Sequence, residues 1–168
     1  KSRGQTVVLV ALAAVAIVAF VALAIDGGNA YTIRREAQSA ADGAAIAGTW
    51  VIVDYQGSSA KADVLRAVNQ YAQANGVPDT DGDPANATNA NILAWYVHFD
   101  GSPVMNGSVP WEIHAGGDMI PSGAKGVEVQ TSITNTTFFA RAIGINTVGA
   151  KAKATAVYTP DGGILPIA

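Results

Sequence analysis

The sequence predicts an α+β fold, with one long N-terminal apolar helix followed by a small antiparallel β-sheet head carrying one or two further helices. Three observations predict it. Val7–Ile25 reads VVLVALAAVAIVAFVALAI, without a charged, polar or Gly residue. Val64, Leu65, Val68, Tyr71 and Ala72 then recur at helical spacing. From Ile92 onward the apolar residues alternate with polar ones, the period of half-buried strands. The expected division is residues 1–55 as the long helix and residues 56–168 as the head.

The apolar run comes first. At about 1.5 Å of rise per residue it spans roughly 28 Å, close to the hydrocarbon thickness of a bilayer. A helix buried on one side in a soluble core would keep a polar face, and this one has none. A buried core helix is the alternative, but the run exceeds the length of about 18 residues that marks a membrane candidate. A secretory signal has a shorter apolar core, and no A-x-A site closes the run before Asp26. Lys1 and Arg3 precede the run and Asp26 follows it, so the N-terminus is expected in the cytoplasm and the remainder outside. Arg34 and Arg35 weaken that asymmetry. The chain opens on Lys rather than Met, so an upstream segment is expected.

Composition narrows the function classes. A net charge of -3 gives no electrostatic footprint for nucleic acid. The chain has no Cys, which excludes disulfides, thiolate metal sites and a Cys nucleophile. An extracytoplasmic head must therefore be held by its core, by subunit packing or by bound ions.

Beyond Gly27-Gly28 the helical period resumes with Ala30, Ile33, Ala37, Ala40, Ala41, Ala44 and Ala47. The reading is one helix from about Gln5 to about Ile52, loosened at the glycines, with two helices and a true turn as the alternative. Ala37, Ala41, Ala44 and Gly48 form a stripe of small residues, which lets another backbone approach closely. That backbone is either the chain's own head or a neighbour's helix. The neighbour is the expectation, because the stripe continues the helix that must bury the apolar run.

The start RGQ, the apolar run and then ALAIDGGNAYTIRREAQSAADGAAIAG resemble the N-terminal region of the TadE/TadG-like family of Flp (tight-adherence) pilus assembly proteins. Thr137-Phe138-Phe139-Ala140-Arg141, Ile143-Gly144-Ile145 and Ala154-Thr155-Ala156 are similar to the end of such proteins. The resemblance implies a pilin-like, membrane-inserted subunit handled by a pilus or secretion machine, and no catalysis. One position departs from the common pilin pattern. Cleavage after Gly4 would put Leu9 where a Glu is usual, so the accessory, TadG-like branch fits better than a standard major pilin.

The head begins after the polar connection QGSSA. Ser58 or Ser59 is expected to cap the second helix, with Asp63 in its first turn. Gly76 and Pro78 end it. The loop VPDTDGDPANATNAN follows, with Asp79, Asp81 and Asp83 alternating. Spaced carboxylates on a tight turn suit calcium, although Pro84 and Ala90 stand where an EF-hand needs Gly and Glu. The alternative is a solvated turn rich in Asp and Asn. The calcium reading predicts a higher melting temperature with calcium than with EGTA, and identical curves would remove it.

Strands are expected over Leu93–Phe99, Val109–His114, Gly126–Thr134 and Thr147–Thr159, with a helical turn over Thr136–Arg141 carrying Phe138 and Phe139. The apolar tail ILPIA is expected to dock. His98 and His114 have no paired acid or nucleophile nearby and read as structural or surface residues. Candidate N-glycosylation sequons stand at Asn86, Asn106 and Asn135.

These readings converge on a structural subunit of an extracellular pilus-like filament, not an enzyme, with a membrane-anchored accessory protein as the alternative. The expected assembly surface comprises Val7, Val8, Leu12, Val15, Phe20 and Leu23 in the run, together with the small-residue stripe. The expected partners are other copies of the chain and, before assembly, the membrane. Neither nucleic acid nor a small-molecule substrate is expected, and no cofactor unless calcium.

Overall fold

The computed structural model describes residues 3–55, 63–80, 89–114, 119–159 and 163–167. Helix α1 runs unbroken from Arg3 to Asp54. The turn that would have divided it at Gly27-Gly28 does not form. Each glycine costs a helix about 1 kcal/mol relative to Ala, which a long cooperative helix absorbs.

Helix α2 spans Val64–Ala74. Its cap is Asp63, whose carboxylate accepts the Arg66 N–H at 3.0 Å. Asp63 thus precedes the helix rather than lying in its first turn, and Ser58 and Ser59 fall outside the described residues. Val64, Val68 and Ala72 are buried as their spacing predicts, while Tyr71 is exposed and Asn69 is buried instead.

Among the described residues six strands follow: β1 Ile92–Val97, β2 Met105–Asn106, β3 Val109–Pro110, β4 Gly126–Thr136, β5 Thr147–Tyr158 and β6 Ile164–Ile167. The main antiparallel sheet has the order β1-β4-β5-β6. Ala94 faces Val129 across β1 and β4, and Val157 faces Leu165 across β5 and β6. The apolar tail therefore docks as an edge strand, a place that tolerates Pro166. β1 stops at Val97 rather than Phe99. Just beyond, Asp100 accepts the Ser102 N–H and hydroxyl at 3.0 and 2.6 Å, turning the chain at Gly101. The stretch expected as a strand over Val109–His114 contributes β3, which pairs with β2, and then an isolated antiparallel bridge from Glu112 to Trp95 of β1. Gly107 opens that two-residue hairpin loop with φ +67°, a conformation glycine adopts without a Cβ clash.

The chain divides into two compact units, Lys1–Ile33 with Thr134–Gly149, and Arg34–Ile133 with Ala150–Ala168. Helix α1 contributes residues to both units. In the second unit, the small residues of α1 let the helix lie close against the sheet. The Thr131 hydroxyl donates to the Ala37 carbonyl at 2.8 Å. Thr49 reaches further into the sheet, accepting the Val127 N–H at 3.2 Å and lying 2.9 Å from the Ala156 carbonyl. Its side chain is buried, so water cannot replace these bonds. Thr49→Val keeps the shape and removes the acceptor. The expected result is a loss of about 1–3 kcal/mol, read from denaturant unfolding of the full chain in detergent. An unchanged midpoint would show that the Val127 N–H finds another partner.

Candidate functional site

The first unit carries the apolar run. Val7, Val8, Leu12, Val15, Phe20 and Leu23 expose 59–74% of their surface. The most apolar window of α1 is 0% buried, so this is not the core helix of a soluble domain. Nothing in the described chain covers it, and water is a poor solvent for it.

At the end of the run stands Asp26, and the connection between β4 and β5 is hydrogen-bonded to it. The Phe138 N–H donates to Oδ1 at 2.8 Å, and the Phe139 and Ala140 N–H groups donate to Oδ2 at 3.1 and 2.6 Å. These amides open a 3-10 turn, Ala140–Ile143, which closes at Gly144 with φ +89°. The Thr137 N–H donates to the Asn146 carbonyl at 3.0 Å and the Arg141 Nε–H to the Thr137 carbonyl at 3.0 Å, so the connection is tied to itself as well.

Desolvation pulls the Asp26 pKa up, but the N–H groups of Phe138, Ala140 and Phe139 and the Arg141 charge outweigh it. The carboxyl therefore titrates below its ordinary value. A depressed folded-state pKa contributes stability that is present above the unfolded value and lost as pH falls through the folded one. Protection of the Phe138, Phe139 and Ala140 amides against hydrogen exchange is expected to be full at neutral pH and to fall in acid below the usual carboxylate range. Asp26→Asn should weaken that protection at neutral pH. Equal protection in the variant would show that the turn holds itself without the carboxylate. Sequence reasoning took Asp26 only as a flanking charge, and its partners lie more than a hundred residues away.

The remaining expected site residues are scattered. Ala37, Ala41 and Ala44 are 0% exposed and Gly48 is buried, all within the second unit. A Cβ on Gly48 would lie 2.7 Å from Val68 Cγ2 and 3.2 Å from Val127 Cγ2. The chain's own sheet and α2 thus take the contact expected of a neighbour's helix. Within the protomer these four small residues are buried, so the close approach that small residues permit is used there.

Asp81 and Asp83 lie outside the described residues, and Asp79 is half-buried. Among the described residues no group of three His, Asp or Glu side chains is placed to hold a metal ion. Asn106 and Asn135 are exposed on β2 and β4, and Asn86 lies outside the described residues. His98 packs against Gly123, with Nδ1 3.0 Å from that carbonyl oxygen, and His114 is exposed. A groove in the second unit is lined by Gln38, Asp42, Glu128 and Lys153 together with apolar residues such as Ile46 and Ile167. Its groups engage one another: Lys153 Nζ lies 2.8 Å from Glu128, and Gln38 donates to Asp42 at 2.8 Å.

An exposed membrane-length segment on a helix whose second half belongs to an α+β head is the layout expected from the family resemblance. The family model Tad, Flp pilus-assembly TadE/G-like, matches residues 4–70. This stretch is TadE/G-like. It covers α1 and the start of α2, and it does not reach the Thr137–Ala156 segment that also resembles the family. Neither the curated proteins nor the solved structures yield a match to the chain. The family is described as one of Flp pilus assembly, and the matched region here carries a candidate membrane helix. Residues 4–70 are thus similar to a pilus-assembly family, and they carry a helix long and apolar enough to cross a membrane.

Proposed function

We propose that the chain is a pilin-like subunit of an Flp/Tad-type filament. Val7–Ile25 holds it in the cytoplasmic membrane, N-terminus inside, until assembly moves the same segment into a bundle of identical helices. The observation that carries this reading is the exposure of the run, with residues such as Val15 and Phe20 uncovered by the chain itself. Lipid and a helix bundle both hide such a surface, and passage from one to the other keeps it out of water. The head requires neither environment for its own core, and the subunit carries no catalytic role.

A second reading is a bitopic accessory protein that stays in the membrane and binds a partner of the pilus machine. The burial of Ala37, Ala41, Ala44 and Gly48 favours it, because it shortens the helix surface left for packing against neighbours. Electron microscopy of native material separates the two. Continuous fibres containing this chain support the filament, and discrete particles in detergent support the accessory protein.

A further inference from the structure

We propose that the connection between β4 and β5 is a second membrane-contacting element, a shallow interfacial loop that lies on the lipid surface beside the helix. The inference rests on the membrane-anchored stage of the function proposed above, but not on filament formation.

The position of the loop is set by chemistry within one unit. The apolar run ends at Ile25, so Asp26 stands at the level where hydrocarbon gives way to headgroups. The backbone of Phe138, Phe139 and Ala140 is hydrogen-bonded directly to that carboxylate. The side chains of the loop are therefore carried at the same depth. They are not the side chains of a solvated turn. Phe138 is 63% exposed and Ile143 is 79% exposed, and Phe139 and Ile145 are exposed beside them.

A turn of this composition in water would leave aromatic and branched aliphatic groups uncovered. At the edge of a bilayer those groups enter the boundary between headgroups and acyl chains, which admits apolar side chains to a depth of about 5–10 Å. Arg141, exposed in the same turn, supplies a cation for lipid phosphate. The loop's polar backbone stays satisfied by Asp26 and by its own bonds, as an element at that depth requires. Continuity with the apolar run selects lipid as the occupant.

The absence of Cys makes single labelling sites straightforward. Ile143→Cys, Val15→Cys and Asn106→Cys variants of the full chain would each carry one environment-sensitive fluorophore. They would be reconstituted into vesicles of phosphatidylethanolamine and phosphatidylglycerol. The proposal expects the Ile143→Cys label to be quenched by nitroxides near the lipid headgroups and several-fold less than the Asn106→Cys label by aqueous iodide. The Val15→Cys label should respond to nitroxides deep in the acyl chains. If the Ile143→Cys label is quenched by iodide as strongly as the Asn106→Cys label while Val15→Cys reports the acyl core, the loop is solvated and the proposal falls. A label shielded from iodide yet untouched by any lipid nitroxide would mean that protein covers the loop, which overturns the proposal as well. If the Val15→Cys label itself is open to iodide, the anchor fails and the loop proposal fails with it. Failure to see fibres by microscopy would leave a positive labelling result standing.

Discussion

Val15→Asp is expected to abolish stable membrane integration. Val15 is near the centre of the run and is 68% exposed, so nothing in the protomer could shield a carboxylate there. Its neighbours one turn away, Ala11, Leu12, Val18 and Ala19, are all apolar, and the charged residues closest in sequence are Arg3 and Asp26 at the two ends. A charge at the middle of a membrane helix costs about 2.5–3.5 kcal/mol on insertion scales, and a bundle of identical helices would multiply it by bringing like charges together. The check is extraction of cell membranes with alkaline carbonate. Wild type should remain in the pellet and the variant should move to the supernatant or be degraded. Val15→Leu should behave as wild type. Full retention of Val15→Asp would show that the run lies in neither lipid nor a helix core.

The parts of the fold that were legible are those whose pattern is local. The membrane-length run, the strand alternation of Gly126–Thr136 and Thr147–Tyr158, and the docking tail each announce themselves within a few residues. The β2–β3 hairpin was missed although Asn106-Gly107 is a turn signal, because the strands beside it are too short to show a period. Tyr71 fits the apolar face of α2 by spacing, yet it lies at the margin of that face and is exposed.

The site was less legible, for a different reason. The stripe of small residues announces that a backbone comes close, but not whose backbone it is. The hydrogen bonds that tie this helix to the chain's own sheet, from Thr131 to Ala37 and from Val127 to Thr49, join positions far apart in sequence. Asp26 and the Phe138–Ala140 amides pose the same problem. A carboxylate after an apolar run reads as a topology signal, and only the folded chain brings the amides to it.

Ala41→Leu turns that close approach into a measurable loss. Ala41 is 0% exposed within the second unit, as are Ala37 and Ala44 at helical spacing on α1. A Leu side chain there must be accommodated either by off-rotamer packing or by moving the helix away from the sheet. Overpacking of this kind typically costs about 1–3 kcal/mol. Moving the helix would also stretch the 2.8 Å bond from Thr131 to the Ala37 carbonyl. For a chain of this size about 1 kcal/mol corresponds to roughly 2–4 °C in melting temperature, so a fall of up to about 12 °C is expected. The measurement is thermal unfolding of the full-length protein in detergent, where no filament is present to contribute. Ala41→Ser, which adds little volume, should fall much less. The outcome discriminates between the two contacts that a small-residue stripe allows. If the stripe packs on its own head, the solitary protomer loses stability and any assembly defect is a consequence. If it packs on a neighbour, the solitary protomer melts as wild type and only assembly fails. The burial of Ala37, Ala41 and Ala44 within the protomer, and the approach of Val68 and Val127 to Gly48, predict the first outcome.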